Sequence, residues 1–250
     1  MQKATFLALI RLADDHLILG HRLSEWCGHA PMLEEDLAMP NIALDLIGQA
    51  RALYSYAGEI EAAGRDEDAL AFGRIEREYQ NLLICELENG DFAQTMLRQF
   101  YFASFMLLLW EQAQSSSNTT VAAIAAKAVK EAKYHRRHCG EWVIRLGDGT
   151  DESASRMQAA CTVLEPYLAE FFHVDDVVLE MSENSILPDP LSLRAAWLAD
   201  ICEVLEVAKI APPDLSHAHK GGRKGRHTEA MGHLLAKLQY MQRSFPNMKW

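Results

Sequence analysis

Between Thr5 and Cys27 the apolar residues Phe6, Leu9, Ile10, Ala13, Leu17, Leu23 and Trp26 recur at helical spacing, interleaved with Arg11, Asp14, Asp15 and Arg22. Gly28, His29 and Pro31 end this helix. A second is predicted from Leu33 to about Gly64, with Glu34, Glu35 and Asp36 in a first turn that suits the positive end of the helix dipole. Pro40 predicts a late start or a kink. A shorter helix is expected from Asp66 to Leu87, closed by a turn at Glu88–Asp91. Phe92–Gln114 carries only Arg98 as an ionised residue before Glu111, so that helix must be buried on most of its circumference. A polar loop from Ser115 to Thr120 supplies an N-cap for a helix over Val121–Leu146, which Gly147 to Gly149 terminates. Helices over Ser153–Phe172 and Leu191–Ala208 precede Pro212-Pro213 and a basic loop, and Thr228 begins a last helix. No segment alternates like a strand, and no repeat is present. The two long pairs, Thr5–Cys27 with Leu33–Gly64 and Phe92–Gln114 with Val121–Leu146, predict an all-α four-helix bundle with additional packed helices. A single domain is expected over residues 1–250, with the basic loop and C-terminal helix at about 212–245.

Composition narrows the class. The 250 residues are 49% hydrophobic with 14 Gly and 8 Pro, which excludes a disordered polymer and leaves few positions for tight turns. Five widely spaced cysteines, an odd number without a C-x-x-C pair, point to a reducing compartment. Arg11, Asp14 and Asp15 interrupt the N-terminal segment before a signal-peptide core could form, and the longest apolar run, Phe100–Trp110, falls short of the ~20 residues that span a bilayer. The expectation is a soluble cytoplasmic protein. The net charge is −11, yet residues from Ala211 to Trp250 hold seven Lys/Arg against two Asp/Glu. An acidic body of this kind should repel nucleic acid and anionic membrane, while the basic tail could attract an anion.

A helical bundle invites a test for a metal centre. Ferritin-like di-iron proteins place a Glu on each of two helices and a Glu-x-x-His on each of two others, because two iron ions need about four carboxylates and two imidazoles on facing helices. Glu25 is a possible inward carboxylate on the first helix, or a surface or capping residue. Asp45 lies on the second in the frame Asp45-Leu-Ile-Gly48, with Gly where His would be needed. Glu131 lies on the Val121–Leu146 helix in the frame Glu131-Ala-Lys-Tyr134, again without the His; His135 follows about 100° further round. Nothing acidic occurs between Phe92 and Trp110, so the third core helix offers no carboxylate. The lone Glu170-Phe-Phe-His173 lacks a second copy and reads as a chance match. Lys127, one turn before Glu131, is an available partner for that carboxylate. Met96, Phe100 to Phe105, Met106 and Trp110 could line an aromatic pocket, but helical spacing favours core packing.

Longer stretches carry a family resemblance. Arg22 to Pro31, then Glu34, Asp36 to Ala38, Asn41-Ile42, Leu44 to Leu46 and Gly48 to Arg51 resemble the PaaA/PaaC family of phenylacetate-degradation proteins, specifically its structural branch. So do Lys130 to His135, Arg145 to Gly147, Gly149 to Asp151, Leu193 to Trp197, Gly221 to Gly225 and His227 to Glu229. The resemblance implies a ferritin-like, non-catalytic subunit of the multicomponent ring 1,2-phenylacetyl-CoA epoxidase, a homodimer when isolated. It places the di-iron cofactor in a PaaA-type catalytic partner and none in this chain, alongside a PaaB-type small subunit and an NADPH-dependent flavin and iron–sulfur reductase. Glu25, Asp45 and Glu131 then become vestigial metal-ligand positions. An independent di-iron oxidase or ferroxidase, or a helical coenzyme A module, are the rival readings. In the basic segment, Lys220, Arg223, Lys224 and Arg226 among glycines could cradle coenzyme A phosphates, dock an acidic partner, or form plain surface.

Overall fold

The computed structural model describes residues 1–216, 218–245 and 248. Lys249, which belongs to the basic tail, lies outside them. The described residues form helices α1 (Gln2–Ser24), α2 (Leu33–Glu61), α3 (Glu67–Phe72), α4 (Leu83–Glu86), α5 (Phe92–Ala113), α6 (Thr119–Gly147), α7 (Asp151–Leu168), α8 (Asp176–Glu183), α9 (Pro190–Val207), α10 (Glu229–Leu238) and α11 (Tyr240–Ser244). Short 3₁₀ turns lie at Glu76–Glu78, Ala169–Phe172 and Gly222–Lys224, and no strand occurs among the described residues. This is the all-α class that the hydrophobic pattern predicts, consistent with the ferritin-like fold that the family resemblance implies.

The chain groups into two compact units. The first joins residues up to Glu88 with the described residues from Lys220 onward; the second runs from Asn89 to His219.

In the first unit α1 and α2 form the main hairpin. Gly20 lets them close together, since a Cβ there would meet Ile47 Cγ1 at 3.0 Å and the Ala43 carbonyl oxygen at 3.2 Å. Asp36 ties the intervening loop by accepting from the Gly28 amide at 2.7 Å. α2 starts at Leu33 and carries Pro40 in its interior, so the proline does not delay the helix. The acidic first turn fixes the start instead. The helix expected over Asp66–Leu87 is broken. Only α3, a 3₁₀ turn and the single turn of α4 form there, because several backbone groups of the segment bond distant side chains. The Gln80 amide donates to Asp14 at 2.7 Å and the Leu82 amide to Asp15 at 2.6 Å, while the Gln80 carbonyl accepts from Arg223 at 2.7 Å.

The second unit is built on the α5–α6 hairpin, with α7 and α9 packed against it. Asn118 caps α6, accepting from the Thr120 and Val121 amides, both at 3.1 Å. Gly140 admits the Phe100 ring at 3.2 Å from where its Cβ would stand. Phe105, Phe171 and Phe172 join Tyr101 and Trp197 in one aromatic cluster, and the Trp197 indole donates to the Tyr101 carbonyl at 3.1 Å. Met96, Phe100, Phe102, Met106 and Trp110 are all buried, so the residues that could have lined an aromatic pocket are core. α8 is not announced by the apolar pattern; Asp175 caps it by accepting from the Val178 amide at 3.1 Å.

Candidate functional site

The chemistry of the first unit is concentrated on two neighbouring carboxylates of α1, Asp14 and Asp15, both fully buried. A buried carboxylate is tolerated only when paired and hydrogen-bonded, and each has its own cation. Asp14 takes the Arg74 guanidinium, one contact being 3.1 Å, together with the Tyr54 hydroxyl and the Gln80 amide. Arg74 also donates to the carbonyls of Leu70 at 2.5 Å and Glu78 at 2.8 Å, and lies 4.2 Å from the Tyr79 ring centroid. Burial works against the Arg74 charge, but Asp14 beside it holds its pKa above the usual arginine value. Burial pushes the Tyr54 hydroxyl well above its ordinary range and Tyr79 up to about 12.

Asp15 takes Arg223, with nitrogen–oxygen distances of 3.0 and 2.8 Å, and the Leu82 amide. Burial raises the Asp15 carboxyl to about 6 against the pull of that guanidinium. A third buried carboxylate, Glu86, accepts from His227 Nδ1 at 2.7 Å, the Asn81 amide group at 2.8 Å and the Thr228 backbone amide at 2.5 Å. Arg22 donates to the Glu86 carbonyl at 3.0 and 2.8 Å and to the Ala230 carbonyl at 3.2 Å. The arrangement binds residues 220–230 to α1 and to the broken 74–87 segment. A cleft of about 360 Å³ beside it is lined by Ile75, Glu76, Leu235, Gln239, Tyr240 and Arg243 among others, with no His or Cys.

The chain matches the family described as phenylacetic acid catabolic protein over residues 1–250. It is also 46% identical over 241 residues, 96% of its length and 97% of the relative's, to the C-type subunit of 1,2-phenylacetyl-CoA epoxidase from Escherichia coli (strain K12). The chain belongs to the phenylacetic acid catabolic protein family.

Within that family frame, the positions singled out in the sequence have different surroundings. Glu25 is an exposed residue at the C-cap of α1, paired with Arg22 at 3.2 Å. Asp45 is half-buried on α2. Glu131 on α6 is half-buried and pairs with Lys127 at 3.5 Å, the partner its spacing offered. Tyr134, in the frame where a ligand histidine would stand, is 41% exposed, whereas His135 is 1% exposed. The buried face of α6 therefore carries the i+4 residue, His135, although it stands about 100° round from the i+3 frame. Glu170 is buried in a 3₁₀ turn with His173 outside it. Among the described residues no group of three His, Cys, Asp or Glu side chains could hold a metal ion. Asp14, Asp15 and Glu86 are already neutralised by Arg74, Arg223 and His227, so these three carboxylates do not fit a di-iron cluster.

The basic segment is divided in its use. Lys220, Lys224 and Arg226 are exposed, while Arg223 turns inward to Asp15. Sequence reasoning misses Asp14, Asp15 and Glu86 as buried anions, because Asp14 and Asp15 fit a solvated face of α1. The available signal lies elsewhere in the chain: Arg223 and His227 stand in a glycine-rich stretch where a buried partner can approach closely.

Proposed function

We propose that the chain is the structural, non-catalytic C-type subunit of a multicomponent 1,2-phenylacetyl-CoA epoxidase in aerobic phenylacetate catabolism, holding a di-iron catalytic subunit in place. The observation that carries this reading is the likeness to a C-type epoxidase subunit along nearly the whole of both chains. The donor chemistry supports the non-catalytic part: Asp14, Asp15 and Glu86 are committed to arginine and histidine, and Glu131 pairs with Lys127.

The docking face we assign to the catalytic subunit is on α2. Leu33, Leu37 and Leu44 are 70%, 60% and 64% exposed along one side of the helix, with Asn41 between them and Gly48 beyond. Leucines so exposed along about 16 Å of a helix mark a surface made to be covered. Gly48 adds a gap, since a Cβ there would find nothing within 4 Å, into which a partner side chain can seat. The same face serves self-association as a homodimer when the chain is isolated. The PaaB-type subunit and the reductase complete the assembly, and Lys220, Lys224 and Arg226 supply a positive rim for an acidic partner or for coenzyme A phosphates.

The experiment is co-purification with the candidate catalytic subunit, followed by turnover of phenylacetyl-CoA with and without this chain. Capture of the partner and dependence of its activity on the chain are expected. A partner fully stable and active alone overturns the scaffold role. About two iron atoms bound per isolated chain, lost in Glu131→Ala, would establish the rival di-iron oxidase.

A further inference from the structure

His227 is held between two acceptors. Its Nδ1 lies 2.7 Å from Glu86 Oε2, and its Nε2 lies 3.0 Å from the Tyr79 carbonyl oxygen. A carbonyl oxygen can only accept, so Nε2 must carry a hydrogen. Glu86 already receives the Asn81 side-chain amide and the Thr228 backbone amide on its two oxygens. One proton must therefore lie between Oε2 and Nδ1, and because a carboxyl is a stronger acid than an imidazolium it sits on Nδ1. A neutral imidazole has only one N–H. The pair is satisfied only as imidazolium and carboxylate, with both side chains excluded from solvent.

Other charges around the ring point the same way. Glu76, in the 3₁₀ turn, adds a second negative charge near the ring. Arg22 of α1 donates to the Glu86 carbonyl through Nε and Nη2, to the Ala230 carbonyl through Nη2, and to Glu25 through Nη1. On its own segment His227 lies between exposed Arg226 and, past Thr228, exposed Glu229. Burial lowers the histidine's pKa, but the Glu86 bond and charge outweigh it and the net direction is upward from 6.5.

We infer that His227 and Glu86 form a proton-operated latch that fastens residues 221–228, and with them the start of α10, to the 79–86 segment. Loss of one imidazolium proton to solvent leaves a ring nitrogen lone pair facing an oxygen, and the closed arrangement loses a bond and a charge pair together. The latch is fully closed below the ordinary histidine value of about 6.5 and weakens as pH rises from there to the raised folded value. Over that window its opening constant rises about tenfold per pH unit, and it is level above the window. The weakening therefore sets in close to neutral pH. The latch lies on the first unit alone and does not depend on the proposed subunit role.

Two measurements on the full chain test it. Long-range ¹H–¹⁵N spectra of histidine-labelled protein should show His227 with both nitrogens protonated at pH 6.5 and titrating above the ordinary value. Hydrogen exchange, corrected for its intrinsic pH dependence, should show amides of 221–228 losing about tenfold protection per unit across that window, while α5 and α6 do not change. Glu86→Gln is the decisive variant. Its side-chain NH₂ can donate to a neutral Nδ1, so the latch closes without a charge, His227 titrates below 6.5, and the protection no longer falls as pH rises above 6.5. A neutral His227 at pH 6.5 in the unmodified chain, or 221–228 protection that does not vary with pH, overturns the latch. So does a Glu86→Gln chain that keeps the original pH slope.

Discussion

A Cβ on Gly222 would stand 2.0 Å from the Asn81 carbonyl oxygen; one on Gly225 would stand 2.1 Å from that of Arg77, at a φ of +64°. Both glycines let the basic segment press against backbone, which places Arg223 within reach of Asp15, a different task from cradling phosphate. Gly222→Ala should lower stability by about 1–3 kcal/mol or more in urea unfolding, as overpacking against rigid backbone does. Gly48→Ala, in open space on a helix, should raise it by up to about 1 kcal/mol. Arg223→Ala leaves the Asp15 carboxylate buried without its cation and should cost about 3–5 kcal/mol. Its pH dependence has a definite sign. Asp15 has a folded value of about 6 against 3.8 for the free carboxyl, so the native state binds the extra proton and this group's contribution grows as pH falls from 6 toward 4. Arg223→Ala should steepen that gain, read as the difference in unfolding free energy between pH 7 and pH 5.

At the scale of elements, long helices announce themselves. The ends of α1, α2, α5 and α6 fall within three residues of their predicted limits, since apolar residues at helical spacing must share one buried face. The segment from Asp66 to Leu87 does not behave so. Its composition suits a helix, yet Gln80 and Leu82 give their amides to Asp14 and Asp15, and the Tyr79 carbonyl accepts from His227, 148 positions away. Local propensity has no access to such partners, and tertiary bonds outweigh it. α2 shows the opposite case, a helix whose inner face is legible and whose outer one is not. Nothing in the local pattern assigns a side to Leu33, Leu37 and Leu44, and the structure turns all three outward. Leu37→Glu with Leu44→Glu should therefore leave the isolated chain's melting curve within about 0.5 kcal/mol per site. The same pair should weaken capture of the catalytic partner at least tenfold, measured by titration of one purified chain with the other.

At the scale of the molecule, the metal question is partly legible. The absence of any carboxylate between Phe92 and Trp110, and Gly48 and Tyr134 at ligand frames, can be read directly from the chain. That three other carboxylates are buried and neutralised cannot, because their cations lie far along the sequence. Ferrous iron added to the isolated chain should stay well below one atom per chain by elemental analysis, and Glu131→Ala should leave that value unchanged. The first unit is also discontinuous: Asn89–His219 is interposed between its two parts. Asp15 precedes Arg223 by 208 positions, and Glu86 precedes His227 by 141. During synthesis, which proceeds from the N-terminus, the two anions emerge long before anything that can neutralise them, while every residue of the second unit is already outside. The ribosome thus releases the units in an inverted order of completion. A chain arrested at His219 would hold a finished second unit beside an α1–α2 hairpin still waiting for its counter-ions, and that interval is when a chaperone would have most to do.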